Sequence, residues 1–230
     1  MLKVQEVTVE YPDGTRAVDS VSFSIKAGEN VALIGTNGAG KTSLLLALVG
    51  ILALKSGEIC VGEMMLNKKN LRDIRAKVGL VFQNPDDQLF TPSIFEDVAF
   101  GLRNFGFGEA ETAGLTDMTL SRLGIGHIAK KSPLRLSGGE KRLAAIATVI
   151  AMDPDFLLFD EPSAFLDPRA RRNLTVILKE LPQGKLIATH DLVFAEETCS
   201  RVLLLQNGKL IANNGTELLR DSETLLAAGL

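Results

Sequence analysis

The sequence predicts an α/β fold in which a helical lobe interrupts a core built on a sheet. Three observations carry this expectation. Short β-type runs separated by turns open the chain, and a glycine-rich stretch leads from one of them straight into an apolar helical run. The middle, residues 88–153, has few β-branched runs and reads as helical.

Taken in order, Lys3–Val9, Val18–Ile25 and Asn30–Ile34 are expected strands, with turn signals at Pro12-Asp13-Gly14 and Ala27-Gly28. The helical run Lys41–Val49 follows and is closed by Gly50. Glu58–Val61 and Val78–Phe82 are further strands. In the lobe, a glycine-rich tract spans Gly101–Gly108, and a helix over Leu143–Met152 stops before Pro154. Phe156–Phe159 is apolar at every position, as a strand buried on both faces should be. A helix over Pro168–Leu181 has Asp167 as its N-cap and Pro168 in its first turn. Lys185–Ala188 and Val202–Leu205 are expected strands, and Thr216–Ala228 reads as a final helical run. The expected organisation is one domain, 1–230, with residues 1–87 and 154–230 forming the core and 88–153 the lobe.

The 230 residues are 46% hydrophobic and 23% charged, and 25 basic against 28 acidic side chains leave a net charge of −3. These proportions exclude a disordered or collagen-like chain. The acidic balance argues against nonspecific nucleic-acid binding, which leans on clustered Lys and Arg, so no nucleic-acid partner is expected. Cys60 and Cys199 lie far apart with no metal-ligand spacing, the pattern of a reduced, intracellular chain. The longest apolar run, Leu44–Leu54, is shorter than the roughly 20 residues that span a bilayer. Met1–Gln5 has no apolar signal-peptide core. The expected location is therefore cytoplasmic.

Gly35-Thr36-Asn37-Gly38-Ala39-Gly40-Lys41-Thr42 matches the phosphate-loop pattern G-x-x-x-x-G-K-[ST] between an expected strand and an expected helix. Its glycines let backbone N–H groups turn toward phosphate oxygens, and the helix behind points its positive end at the same anion. Lys41 would neutralise β/γ-phosphate charge and the Thr42 hydroxyl would ligate Mg²⁺. The apolar strand at 156–159 ends in Asp160-Glu161, and acids in that place need a nearby cation. Asp160 suits a Mg²⁺ ligand acting through water. Glu161 suits a general base, or a group that positions the attacking water. Neighbouring side chains on a strand point to opposite faces, which argues against a facing pair of glycosidase type.

Leu136-Ser137-Gly138-Gly139-Glu140 precedes Lys141-Arg142 and an apolar helix. Small residues and a serine hydroxyl at a helix N-terminus make a second anion site. One chain needs only one phosphate clamp for one nucleotide, whereas two copies placed head-to-tail would use both.

These motifs, together with Ser163-Ala164-Phe165-Leu166-Asp167 and Ala188-Thr189-His190-Asp191, stand in the order found in ATP-binding cassette (ABC) ATPases, and the chain resembles that family over nearly its whole length. The resemblance implies a P-loop NTPase core with a mixed or parallel sheet, an N-terminal antiparallel β-subdomain and an inserted α-helical subdomain. It implies ATP and Mg²⁺ as cofactors and a sandwich dimer over two Mg-ATP. Gly35, Thr36, Asn37, Gly38, Ala39, Gly40, Lys41, Thr42 and Ser43 would hold ATP. Thr42, Gln83 and Asp160 would hold Mg²⁺. Glu161, Lys41, Gln83 and His190 would serve hydrolysis, Gln83 linking the γ-phosphate site to the lobe and His190 contacting the γ-phosphate. Leu136, Ser137, Gly138, Gly139 and Glu140 would act on the ATP of the other chain, and Asp167 would lie in the loop that crosses the dimer. Tyr11, the only tyrosine, resembles the aromatic that stacks on adenine; a turn aromatic packed on the sheet is the alternative. Glu140 departs from the glutamine that many members carry. His127 has no motif around it and reads as core or surface filler.

Val81-Phe82-Gln83-Asn84-Pro85-Asp86-Asp87-Gln88-Leu89-Phe90, with Glu96-Asp97-Val98-Ala99-Phe100-Gly101, resembles the ATPase subunits of energy-coupling-factor importers of cobalt, nickel or vitamins. Six of the eleven phenylalanines (82, 90, 95, 100, 105 and 107) fall here. They suit an apolar groove for a helix of an integral membrane subunit, or simply the core of the lobe. The expected partners are a second ABC ATPase subunit, the same chain or a homologue, and integral membrane transporter subunits that hold this chain at the inner face of the membrane. Many members of the subgroup carry a longer C-terminal segment than this chain does. The other readings are an ATPase of another ABC transporter class, a soluble ABC ATPase acting on ribosomes or DNA ends, and a regulator without turnover. The first soluble class usually has tandem cassettes or coiled-coil insertions, and the intact Lys41, Asp160, Glu161 and His190 argue against the regulator.

Overall fold

A computed structural model describes residues 1–230, the side chain of Ala227 excepted. In chain order it begins β1 (Leu2–Glu10), β2 (Arg16–Ile25), β3 (Asn30–Ile34), α1 (Lys41–Leu48), β4 (Ser56–Val61), β5 (Met64–Met65), α2 (Leu71–Lys77) and β6 (Val78–Val81). Then come α3 (Ile94–Phe105), α4 (Glu109–Arg122), α5 (Gly138–Ile150), β7 (Phe156–Asp160) and α6 (Pro168–Glu180). The chain closes with β8 (Gly184–Thr189), α7 (Leu192–Thr198), β9 (Arg201–Gln206), β10 (Lys209–Gly215) and α8 (Ser222–Ala227). Two compact units result, one of residues 1–80, 155–161 and 182–230, the other of residues 81–154 and 162–181.

The first unit holds two sheets. One is antiparallel, in the order β2-β1-β4-β5. The other, in the order β10-β9-β3-β8-β7-β6, is mixed: β3 lies parallel between β9 and β8, β7 is parallel to β8, and β10 is antiparallel to β9. Strands buried on both faces need apolar side chains throughout, and Val31 to Ile34, Phe156 to Phe159 and Val202 to Leu205 supply them. Leu44, Leu45 and Leu48 of α1 pack with Val31, Leu33, Phe156 and Leu158. Ala195 of α7 packs with Ala32, Ile34, Val202 and Leu204. The register matters most for the site. Ile34 pairs with Thr189 and Asp160 with Ala188, so the segments that follow β3, β7 and β8 leave the sheet side by side.

The second unit is helical. Ser93 caps α3 through Glu96 N, and α3 buries Ile94, Val98, Ala99 and Leu102. Asp167 caps α6, accepting from Arg169 N at 2.8 Å and Ala170 N at 2.9 Å. Those two N–H donors hold its carboxyl below the usual carboxylate range. Buried Asp97 ties down the loop before α3, since its Oδ1 accepts from Phe90 N and Thr91 N, each at 3.0 Å.

Some boundaries differ from those expected. The helix expected over Leu143–Met152 begins at Gly138, because Ser137 and Glu140 form a reciprocal capping box that starts it five residues earlier. The expected run Thr216–Ala228 is split: a 3₁₀ turn spans Thr216–Arg220, and Asp221 then caps α8 by accepting from Glu223 N and Thr224 N. The elements β5, α2, α7 and β10 had no counterpart among the expected elements, and α3 and α4 lie in a lobe expected only to be helical. Both cysteines are free thiols, and no helix among the described residues is long and apolar enough to cross a membrane.

Lys185 on β8 is 1% exposed and donates to Asn30 Oδ1 (3.0 Å) and Gln183 O (2.9 Å). Burial lowers its pKa from 10.5 to about 8, and burial raises that of Cys199 from 9.0 to about 11. The two act in opposite directions on stability. The depressed lysine contributes fully above its unfolded value and loses that contribution as pH falls through 8. The raised thiol contributes below its unfolded value and loses as pH rises through 11. Stability should therefore climb between pH 8 and 9 by of order 1 kcal/mol, and level off above as the thiol opposes the lysine. Denaturant unfolding at pH 7, 8, 9 and 10 on wild type and Lys185→Met checks this; a climb of equal size in the variant would assign it elsewhere.

Candidate active site

The phosphate loop is fixed before any nucleotide is considered. Gly40 sits at φ 104° as the N-cap of α1, a conformation costly for any residue with a Cβ, and a Cβ there would also strike Ala17 O. A Cβ at Gly35 would strike Leu205 O, whereas one at Gly38 would meet nothing. Gly38 itself sits at φ 81°, so all three loop glycines are required by this unit's own backbone, Gly35 for space, Gly38 for its conformation and Gly40 for both. The Lys41 ammonium, almost wholly buried, donates to Gly35 O (2.7 Å) and Thr36 O (3.2 Å), so the loop closes around its own lysine.

Three loops meet at that lysine. Glu161, directly after β7, has φ 44° and donates its N–H to Ala188 O at 2.8 Å, which turns its side chain out of the strand's alternation. Its Oε1 lies 3.5 Å from Lys41 Nζ and 3.0 Å from His190 Nδ1, and its Oε2 accepts from His190 N at 3.3 Å. Both carboxylate oxygens are held, and Glu161 is 5% exposed. The His190 side chain is 59% exposed, open on its other side to an arriving group. The cation expected beside the acid pair is therefore Lys41.

Asp160 points elsewhere, and its Oδ2 accepts from Thr42 Oγ1 at 2.7 Å. A hydroxyl and a carboxylate so close together are two hard oxygen donors, and they fit Mg²⁺, which takes one or two protein ligands and fills its shell with phosphate and water. No set of three or more His, Cys, Asp or Glu side chains among the described residues gathers to hold a metal by itself. Tyr11 adds a contact that the sequence does not reveal: its hydroxyl lies 2.9 Å from Ser43 Oγ, tying the β1–β2 turn to the start of α1. The other loop residues, Thr36, Asn37 and Ala39, complete the turn through Ala39 N to Thr36 O at 3.1 Å.

The remaining site residues belong to the second unit. Ser137 is the N-cap of α5, with Leu136 before it and Gly138 and Gly139 in its first turn. A Cβ at Gly139 would press on Ala170 of α6, but one at Gly138 would meet nothing, so the fold itself leaves the space beside Gly138 open. Gln83 is held by its backbone, its carbonyl accepting from the buried Arg142 at 2.8 Å and that of Phe82 likewise at 2.8 Å. Gln88 completes the clamp, accepting from Phe82 N (3.1 Å) and donating to Ala145 O and Thr148 Oγ1 (2.8 Å each). Sequence reasoning passed over both Arg142 and Gln88, because Arg142 donates to backbone carbonyls some 60 residues away and Gln88 reaches Ala145 O and Thr148 Oγ1 at a similar separation. Asp167 is occupied in capping α6. His127 is exposed and faces Glu140 at 3.7 Å, a surface position.

None of the six phenylalanines of the 82–107 stretch is buried. Phe90 and Phe100 are 66% and 45% exposed and meet edge to face, with ring centroids 5.0 Å apart. Phe90, Phe100 and Phe107 are exposed and so are not core of the lobe, whereas Phe82, Phe95 and Phe105 are half-buried.

Comparison with known proteins agrees with the fold and the family. Residues 18–164 match the ABC transporter family. A relative from Carboxydothermus hydrogenoformans, described as energy-coupling factor transporter ATP-binding protein EcfA, is 40% identical over 232 residues, covering 100% of this chain and 86% of its own. The structure of cbiO1 from Clostridium perfringens, described as part of the ABC transporter complex cbiONQ, superposes with a TM-score of 0.85 at 36% identity, covering 98% of this chain and 92% of that one. A dimeric ATP-binding cassette in a post-hydrolysis state with ADP and Pi has a TM-score of 0.81 at 25% identity, over 94% and 99% of the two chains. The chain belongs to the ABC transporter family as an ATP-binding ATPase subunit.

Proposed function

We propose that this chain is the ATP-hydrolysing subunit of an energy-coupling-factor importer whose cargo is a transition metal such as cobalt or nickel, or a vitamin. Two ATPase subunits, identical or homologous, close head-to-tail over two Mg-ATP, and the pair sits on integral membrane subunits at the inner face of the cell membrane. The whole chain acts as one cassette, with 1–87 and 154–230 as its nucleotide-binding core and 88–153 as its signature-bearing lobe, a functional division that differs from the compact units in the placing of 81–87, Pro154 and 162–181. The likeness to EcfA and to cbiO1 supports the subgroup, and the dimeric neighbour supports the pairing.

In this reading the phosphate loop, Gly35 to Ser43, binds the phosphates through backbone N–H groups and Lys41, and Tyr11 stacks on the adenine. Thr42 and Asp160, with Gln83, hold Mg²⁺, which when bound neutralises charge on the β- and γ-phosphate oxygens. Glu161, oriented by Lys41 and His190, aligns the attacking water and takes its proton. His190 offers its exposed side to the γ-phosphate. Ser137 and its glycines serve the ATP of the other chain, and Asp167 belongs to the loop between the chains.

The single observation that carries the transporter assignment is the exposed Phe90–Phe100 pair beside the acidic turn Pro85–Asp87. An exposed aromatic pair rimmed by polar groups marks an interaction surface. Asp86 is engaged within the chain, its carboxylate 2.6 Å from Lys141 Nζ, so exposed Asp87 is the acid better suited to a partner's arginine. Phe90→Ala or Asp87→Ala should weaken membrane association by about 30-fold, the size of an interface hot spot. ATPase activity of the detached subunit should survive. Membrane fractionation of tagged variants with ATPase assayed in parallel tests this, and unchanged association of both variants would remove the docking face.

A further inference from the structure

We propose that Glu140 is a positioning residue that acts through Ser137 and limits how tightly ATP draws two chains together; the proposal rests on the shared-site reading above and adds to it a role for the carboxylate at this position.

The Glu140 carboxylate folds back over the N-terminus of α5. Its Oε2 accepts from Ser137 N at 2.9 Å and from Ser137 Oγ at 2.7 Å, while Ser137 Oγ accepts from Glu140 N at 3.3 Å. The serine hydroxyl has one proton, and Glu140 holds it. The hydrogen bonds from Ser137 keep the Glu140 carboxyl below the usual carboxylate range, so it is an anion at neutral pH. A phosphate oxygen approaching this helix end seeks two things, a hydroxyl proton and the positive end of a helix. The carboxylate takes the first and neutralises the second.

The same side chain has an alternative place to rest. Its Oε1 faces His127 Nε2 at 3.7 Å and Lys131 Nζ at 4.0 Å, both on exposed side chains of the preceding segment. When Ser137 turns to a phosphate of the other chain, the carboxylate can move toward the Lys131 ammonium and the His127 ring. Glutamine at this position would keep the cap, because its amide oxygen accepts from Ser137 N, yet it carries no charge to oppose the phosphate. Two like charges about 5 Å apart in a partly screened setting repel by enough to change an equilibrium about tenfold. Glutamate therefore makes closure conditional on a phosphate strong enough to displace it.

The test is dimerisation of the full chain, followed by sedimentation with Mg²⁺ and a β,γ-imido analogue of ATP. Glu140→Gln should tighten the dimer at least about tenfold at low salt, and the gap should narrow at 1 M salt, where the Debye length is about 3 Å. Nucleotide affinity of the monomer should stay the same. A purely structural cap predicts the opposite sign, a less stable helix and a weaker dimer. His127→Ala with Lys131→Ala, which removes the carboxylate's second resting place, should weaken the dimer and needs no change at the cap. Glu140→Gln dimerising no better than wild type, with the dimer itself intact, overturns the proposal alone. Absence of a nucleotide-dependent dimer in every protein removes the shared site and the proposal with it.

Discussion

Glu161→Gln is expected to bind Mg-ATP as wild type does and to lose hydrolysis by roughly 10²–10⁴-fold, the usual contribution of a general base. Three features of the site make this a clean substitution. Glutamine has the shape of glutamate and can still accept from His190 N. Lys41 keeps Gly35 O and Thr36 O as partners, so no buried charge is stranded. Glu161 also sits at φ 44°, and an isosteric change leaves that strained backbone alone. Lys41→Ala should behave in the reverse way. It removes the cation beside Glu161 and the charge aimed at the phosphates, so ATP affinity should fall by roughly 10- to 100-fold. Turnover and ATP affinity measured on both variants separate the two roles, and near-normal turnover in Glu161→Gln would take it out of the chemistry.

Ser137→Arg should abolish turnover while leaving each chain's own ATP binding intact, because Ser137 lies in the helical unit and is assigned to the other chain's nucleotide. Lys41→Ala is inactive for a different reason. Mixed together, the two proteins form pairs in which one composite site carries both lesions and the other carries neither. Turnover should then appear in the mixture that neither protein shows alone. A mixture as inactive as its parts counts against sharing.

The elements that repeat a local rule were legible in the sequence. Asn30–Ile34, the phosphate loop, the wholly apolar strand before Asp160 and the Asp167–Pro168 helix start could be read because each depends on neighbours within a few residues. What sequence hid is of two kinds. One was a local signal passed over. Asn207-Gly208, with φ 49° and 78°, joins β9 to β10 in the turn that Asn-Gly favours, but β10 ends in Asn213, Asn214 and Gly215 and shows too little β-type character to announce itself. The other was non-local. That Glu161 meets Lys41 and His190 follows from the parallel register of β3, β7 and β8, and register is a property of the assembled sheet. The reason for Gly35 and Gly40 is of the same kind: Leu205 O and Ala17 O, distant in sequence, occupy the space a Cβ would need. The phenylalanines belong with the non-local kind, since composition cannot say which side of a helix faces water; the fold exposes Phe90, Phe100 and Phe107 and half-buries Phe82, Phe95 and Phe105.

The central claim, one ATP clamped by two chains, is tested most directly by crosslinking two singly labelled proteins. Cys60 and Cys199 are first replaced, so that the introduced thiols react alone. One chain then carries Ser137→Cys and the other Asn37→Cys in the phosphate loop, and a short thiol-reactive linker is added with and without Mg-ATP. A covalent pair of the two proteins that forms only with nucleotide is the predicted result. The contradicting result is a chain bearing both cysteines that links only within itself, with no crosslink between chains at any ATP concentration.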